Sequence, residues 1–260
     1  MFSDISERQA QIAERVRERG FQTVADLATH FDVTTQTIRR DIAELAELGV
    51  LKRRHGGVEL PVPTANLSFG QRRILNFDAK QRIARTVARH VPNGASVAIS
   101  IGTTPELVVH ALSAHLHLKV YTNNIMAALT ACAIPTAEVT IPGGPLRSAE
   151  RDVVGSAVED FFARYKVDIG IYGVGGVDAT GELMDFHEEE VQVREAIRRN
   201  SRRSFLILDA SKFGRAGHVR GGLIDEADMI FCDGTPPPGI AATLRKAGRQ
   251  VVYCGEEEAA

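Results

Sequence analysis

The chain is poor in cysteine. Its three, Cys132, Cys232 and Cys254, are scattered and form no CxxC pair. An odd, dispersed set argues against a disulfide framework or a cysteine zinc site and suits a reducing cytoplasm. No window approaches the ~18 consecutive apolar residues of a membrane helix, so no membrane partner is expected. The opening MFSDISERQAQ lacks a basic stretch followed by an apolar run, so no secretory signal is expected. Charge excess is missing too: 31 Lys and Arg stand against 33 Asp and Glu, a formal net charge of −2. Any nucleic-acid surface must therefore be local. There is no internal repeat. The GxGxxG dinucleotide fingerprint fails, since Gly173 and Gly175 are followed by Asp178. His30, His90, His110, His115 and His117 show no metal-ligand spacing with carboxylates. No cofactor and no metal are expected.

What is present has ordinary globular texture. The 260 residues, 44% hydrophobic and 25% charged, suffice for about two domains at ~100–200 residues each. Apolar spacing predicts an amphipathic helix over 4–19 (Ile5, Ile12, Ala13, Val16), ended by Gly20, and a short helix after Thr23. Asp32-Val33 makes a turn, and Thr34 or Thr35 caps a third helix that buries Ile38, Ile42 and Leu45. LKRRHGGVEL then reads as a two-stranded hairpin. Three helices and a hairpin in 1–60 outline a winged helix-turn-helix. The paired prolines Pro61 and Pro63 open a predicted linker over 61–77. From 78 to 255, apolar strands alternate with helices: 96–101, 119–122, 138–141, 169–174, 204–208, 229–232 and 250–254. That alternation predicts an α/β domain with a mostly parallel sheet. Glu256–Glu258 reads as a solvated tail.

On the third helix, Gln36 and Arg40 lie one turn apart on the outer face, flanked by Thr35 and Arg39, with Thr34 and Thr37 beside them. Arg suits guanine, Gln suits adenine and Thr suits phosphate or a thymine methyl. The hairpin offers Lys52, Arg53, Arg54 and His55 to the phosphate backbone or a minor groove. Residues 1–60 hold nine Lys and Arg against ten Asp and Glu, but residues 34–55 hold five against three. The positive charge is thus concentrated where the candidate reading surface lies.

The second constellation sits at strand ends. Gly102-Thr103-Thr104 turns from a buried strand into a helix, offering backbone N–H groups and two hydroxyls to an anion. Thr122-Asn123-Asn124, Gly143-Gly144 with Arg147, and Gly173-Val174-Gly175-Gly176 close other strands. Each alone is an ordinary turn or cap. Together, at the carboxyl edge of a parallel sheet, they suit a small hydroxylated phosphate ester. Lys80 could join them if its helix packs beside this edge. Asp185 to Glu190 precede a helix over 191–200. The acids complement its dipole, and Glu188 or Glu190 could also hold ligand hydroxyls. Asp209 with Lys212 is either an ion pair or part of the pocket.

VADLATHFDVTTQTIRRDIAELAELGVLKRRHGGVEL, with TIRRD at Thr37–Asp41 and RHGG at Arg54–Gly57, resembles the DNA-binding signature of the DeoR family of bacterial transcription regulators. KQRIA, GTT, TNN, the GG.LR stretch and DASKFGR extend the resemblance to about residue 254. It implies operator DNA as partner, a homo-oligomer (dimer or tetramer) and a C-terminal domain resembling ribose-5-phosphate isomerase that binds a sugar phosphate inducer. Carried onto this chain, it places Lys80, Gly102, Thr103, Thr104, Asn123, Gly144 and Arg147 around the ligand, with Gly175, Glu188, Glu190 and Lys212 as further candidates. IGTTPE (Ile101–Glu106), HFDVTTQTIRRD and DASKFGR with Pro236–Pro238 resemble the members that govern glycerol 3-phosphate metabolism. This implies a repressor released by sn-glycerol 3-phosphate, another sugar phosphate being the alternative. One departure is Ser100, where these regulators often carry aspartate. An aldose–ketose isomerase is the enzymatic alternative. It needs a carboxylate base and an oxyanion-stabilising group, yet GVGGVDATGELMDF offers Asp178 alone and no lysine falls between Lys166 and Lys212. No catalytic residue is therefore assigned. A protein-interaction module without ligand leaves the polar strand ends unexplained.

Overall fold

The computed structural model of the protein describes residues 6–60 and 67–255. Ile5 and the start of the first predicted helix, the Pro61–Thr64 segment and the Glu256–Glu258 tail lie outside the described residues. The chain divides into two compact units, Met1–Phe77 and Asp78–Ala260.

The first unit runs α1 (Glu7–Arg19), β1 (Gln22–Thr23), α2 (Val24–His30), α3 (Thr35–Glu47), β2 (Lys52–Arg54), β3 (Gly57–Glu59) and α4 (Phe69–Ile74). Ser6, Thr23, Thr34 and Ser68 cap the four helices, each side chain accepting a first-turn N–H that would otherwise lack a partner. Ile12, Val16, Leu27, Ile38, Ile42 and Leu45 share one core with Val58. Each such aliphatic side chain contributes about 1.5–3 kcal/mol by leaving water. The wing has three strands in the order β1-β3-β2, all antiparallel. The two-residue β1 is too short for a sequence pattern to announce.

The predicted linker needs correction. Residues 69–74 form α4, whose Ile74 is buried in the first unit's core, and Gln71 donates to the Gly49 carbonyl. Its six residues span under two turns, so the apolar period cannot declare itself, and the nearby prolines pointed the other way.

The second unit runs α5 (Phe77–Ala88), β4 (Ser96–Ile99), α6 (Thr103–Ala111), β5 (Lys119–Thr122), α7 (Ile125–Cys132), β6 (Glu138–Thr140), β7 (Leu146–Arg147), β8 (Asp152–Val153), α8 (Ser156–Ala163), β9 (Val167–Tyr172), β10 (Gly176–Val177), β11 (Glu182–Asp185), α9 (Glu188–Arg199), β12 (Ser201–Leu208), β13 (Val219–Leu223), β14 (Met229–Cys232), α10 (Pro238–Lys246) and β15 (Gln250–Tyr253). Seven strands form a parallel sheet in the order β15-β14-β12-β9-β4-β5-β6. Both faces are apolar, as a sheet covered on two sides requires. Val97, Ile99, Ile169, Ile171, Phe205 and Ile207 pack on one side. Ala98, Tyr172, Leu206 and Leu208, the alternating positions, pack on the other. The smaller sheets β10-β11-β13 and β7-β8 sit outside this pattern.

Strand order reverses between β4 and β9: from β4 the chain builds outward through β5 and β6, and from β9 through β12, β14 and β15. In open parallel sheets that switch point opens a crevice at the carboxyl strand ends. No helix among the described residues is long and apolar enough to cross a membrane. The three cysteines are free.

Candidate functional site

In the first unit, burial of Ile38, Ile42 and Leu45 turns Thr35, Gln36, Arg39 and Arg40 outward, all exposed. The third helix is capped by Thr34, which accepts from the Thr37 backbone N–H at 3.2 Å and pairs with the Thr37 hydroxyl at 2.9 Å. Thr37 is thereby half-buried and serves the cap. Arg40 Nε donates to Glu44 Oε1 at 3.2 Å. Asp41 is 4% exposed and accepts from Arg8 Nε of α1 at 2.7 Å. That hydrogen bond, chief among the causes, raises the Arg8 pKa. A groove of about 860 Å³ runs between α1 and α3, with Arg8, Gln9, Gln36 and Arg40 in its lining. On the wing, Lys52, Arg53, Arg54 and His55 are all exposed. Arg54 is already matched, its Nε donating to Glu59 Oε1 at 2.8 Å.

In the second unit the polar strand ends do converge. Gly102 (φ 117°) is the N-cap of α6, with no side chain capping the helix; that left-handed φ favours glycine. Thr103 and Thr104 follow, 6% and 8% exposed. The turn is held by Asn124, whose Nδ2 donates to the Gly102 carbonyl at 3.0 Å while its Oδ1 accepts from Met126 and Ala127, both at 3.1 Å, to cap α7. Asn123, the ligand candidate of the pair, is wholly buried and donates to the Val153 carbonyl at 2.9 Å. It docks the β7-β8 hairpin, and its Oδ1 has no hydrogen-bond partner. Ser100 is 3% exposed. Its hydroxyl accepts from the Gly173 N–H at 3.3 Å and donates to the Ile101 carbonyl at 3.2 Å, joining the ends of β4 and β9 without a charge.

Three ionic groups line the same edge. Arg147 donates through Nε to Asp152 Oδ1 at 2.9 Å and through Nη2 to Glu190 Oε1 at 3.1 Å, with a second bond to Asp152. Burial opposes its charge, but the hydrogen bond and charge of Asp152, then Glu190, raise its pKa. Burial, with the nearby Asp185 charge, pushes the Glu190 carboxyl above its ordinary value against the pull of Arg147. Asp185, 6% exposed, accepts from Arg194 and from the Gly175 N–H at 2.7 Å; burial raises its pKa despite Arg194. A Cβ on Gly175 would come within 2.8 Å of the Met184 carbonyl, so only glycine lets this backbone approach. Asp209, 2% exposed, caps the short turn that carries Lys212. Burial works against its charge, but Lys212, then Lys80, hold it below the ordinary carboxylate value.

Lys80, itself 4% exposed, thus reaches this edge electrostatically, as does Lys212. Glu190 is drawn inward to Arg147, whereas Glu188 is exposed in the first turn of α9, where it complements the helix dipole. Gly144 (φ 146°) is exposed in the loop before the hairpin. Sequence reasoning missed Asp152 and Arg194 and read Asp185 only as one of the acids before a helix; beside the ligand candidate Asn123, it is Asn124 that builds the turn. Arg147 and Asp152 lie five residues apart around a polar turn, a spacing that could have suggested their pairing across a hairpin. The Asp185–Arg194 pair left no such local trace. Among the described residues no cluster suited to a metal occurs.

Comparisons with known proteins bear on both units. The DeoR-like helix-turn-helix domain matches residues 8–64, and the DeoR C terminal sensor domain matches residues 75–234. The glycerol-3-phosphate regulon repressor of Escherichia coli (strain K12) is 39% identical over 249 residues, covering 96% of this chain and 99% of that protein. The HTH-type transcriptional repressor CsqR of the same organism is 33% identical over 250 residues, covering 96% of each. A solved ribose 5-phosphate isomerase from Methanocaldococcus jannaschii overlaps 53% of this chain and 55% of its own, at 17% identity and a TM-score of 0.40. The chain belongs to the DeoR family: it is a helix-turn-helix transcription regulator with a C-terminal sensor domain, and not an enzyme.

Proposed function

We propose that the protein represses genes of glycerol 3-phosphate metabolism and is released from its operator when sn-glycerol 3-phosphate binds the sensor domain. The observation that carries the ligand class is the convergence at one sheet edge of the uncapped α6 N-terminus with Lys80, Arg147 and Lys212. Helix N–H groups and cations are the partners a phosphate takes, and the buried hydroxyls and carboxylates beside them suit a polyol. The choice of glycerol is supported by the 39% identity over nearly the full length of a glycerol-3-phosphate regulon repressor.

Thr35, Gln36, Arg39 and Arg40 read the major groove in this scheme, and Lys52 and Arg53 hold phosphates. A single half-site gives too little affinity, so two or more copies bind together. The effector acts through its differential affinity for the DNA-competent and DNA-incompetent states. The compartment is the cytoplasm.

Calorimetry of the full chain with glycerol 3-phosphate, fructose 1-phosphate and fructose 6-phosphate tests the assignment. Tightest binding of glycerol 3-phosphate, with release of a selected operator duplex, is the expected result. Tighter binding of a fructose phosphate would overturn the glycerol assignment and leave the phosphate site standing. Such an outcome would fit the uncharged Ser100 and the 33% identity to a repressor of another name.

A further inference from the structure

Glu44 lies one turn beyond Arg40 on α3 and is held from both sides. One carboxylate oxygen accepts from Arg40 Nε at 3.2 Å. The other accepts from Gln9 Nε2 of α1. Gln9 is 5% exposed, and its own Oε1 accepts from the Ser6 backbone N–H at 3.0 Å. The same glutamine therefore closes the capping box of α1 and braces the carboxylate that holds Arg40. Three residues earlier on α3, Asp41 is clamped by Arg8. The α1 helix thus grips α3 at two successive positions on the side where the groove runs.

The Arg40 half of this arrangement makes poor sense as a stabilising device. The Arg40 side chain is 83% exposed and that of Glu44 46%, and exposed ion pairs one turn apart add little stability. An anion on a surface that meets DNA also repels every phosphate, whatever the base sequence. Its geometric effect is specific, however. With Nε engaged by Glu44, the pair of terminal nitrogens of Arg40 is the fork left for DNA, and an end-on fork matches the O6 and N7 acceptors of guanine. A free arginine at 83% exposure would instead sample many rotamers and collapse onto the nearest phosphate.

We propose that Glu44, braced by Gln9, is a positioning residue that sets base specificity by holding Arg40 in its base-reading geometry and away from the phosphates. The proposal rests on Arg40 being a base reader. Because Glu44 costs affinity for all DNA alike, its removal should tighten random binding while eroding preference for the operator.

The test is a double-mutant cycle in the full-length protein. It uses a duplex selected from a random pool by the wild type and an unselected duplex of the same length. The readout is the ratio of the two dissociation constants. Glu44→Ala should lower that ratio about tenfold, chiefly by tightening the unselected duplex, alongside a modest drop in unfolding midpoint because the buried Gln9 amide loses its acceptor. Glu44→Gln keeps an oxygen acceptor of the same reach, so it should retain about a third of the wild-type ratio. In an Arg40→Ala background, Glu44→Ala should change the ratio by less than about twofold. A ratio unaffected by Glu44→Ala, or lowered equally with and without Arg40, would overturn the proposal. So would equal effects of the alanine and glutamine variants that vanish together at high salt, since charge alone would then explain them. Failure of the underlying reading is distinguishable: Arg40→Ala by itself would leave the ratio at the wild-type value.

Discussion

Arg147 and Asp152 face each other across the β7-β8 hairpin, in register, with Arg147 Nε 2.9 Å from Asp152 Oδ1. Asp152 is completely buried, while the Arg147 side chain keeps 21% of its surface. Removing the arginine would leave the carboxylate buried without its counter-charge. Arg147→Ala should therefore destabilise the protein by about 3 kcal/mol, the lower end for a broken buried pair. Arg147→Lys should recover only part of this, because an ammonium cannot reproduce the two-bonded fork. Urea unfolding checks both variants. Equal stability of Arg147→Ala and wild type would show that the hairpin is held by other contacts.

Glu190 predicts a pH dependence of defined sign. Its folded-state pKa is raised above the ordinary 4.5, burial being the largest cause. The folded protein therefore holds more protons than the unfolded chain just above that value, and stability falls as pH rises through the window. Glu190→Gln should flatten that limb of the profile; Asp185, raised in the same direction, maintains the remainder. Asp209 works the opposite way. Its pKa is lowered, so its contribution is present at neutral pH and is lost as pH falls below the ordinary 3.8. Unfolding midpoints collected from acid to neutral pH separate the two limbs.

Thr103→Val keeps the side chain's size and removes its hydroxyl from the first turn of α6. If the proposed phosphate sits there, a charged ligand is left short of one hydrogen bond, a loss of about 1.5–3 kcal/mol. Effector affinity should fall roughly tenfold to a hundredfold, with operator affinity unchanged. The variant should then repress without responding to inducer, and calorimetry alongside gel shifts would show it. Wild-type effector affinity in the variant would move the phosphate away from this turn.

On the wing, Lys52 and Arg53 should each contribute about one unit to the slope of log affinity against log salt. Arg54 carries Glu59 at 2.8 Å and should contribute less. Alanine substitutions titrated at several salt concentrations give the comparison. Three equal slopes would mean that Glu59 lets go of Arg54 when DNA arrives.

The fold was legible wherever a pattern repeats within one element. Alternation through Val97, Ala98 and Ile99 requires a strand covered on both faces, and Ile38, Ile42 and Leu45 require a helix with one buried side. The Gly-Thr-Thr turn was legible because a strand ending in glycine before a helix has few other geometries. Partners that belong to different elements were not. Asp185 meets Arg194 only because β11 and α9 meet, and Asp152 reaches its place because the hairpin docks on Asn123. Asp185 was visible only as one acid in a run, and Asp152 only through its spacing from Arg147. Asn123 and Asn124 have the same chemistry, and only the path of the backbone decides which one caps α7.

The position of α4 has a mechanical consequence. Ile74 is anchored in the first core, and Lys80 is buried in the second unit. Only residues 75–79 separate them, a tether that reaches roughly 20 Å even at full stretch. Much of it is already wound into α5, so little slack remains. If Lys80 belongs to the proposed anion site, a shift of its helix on binding would meet little loose chain before Ile74. Lengthening this tether should uncouple sensing from release even if both units keep their own structures.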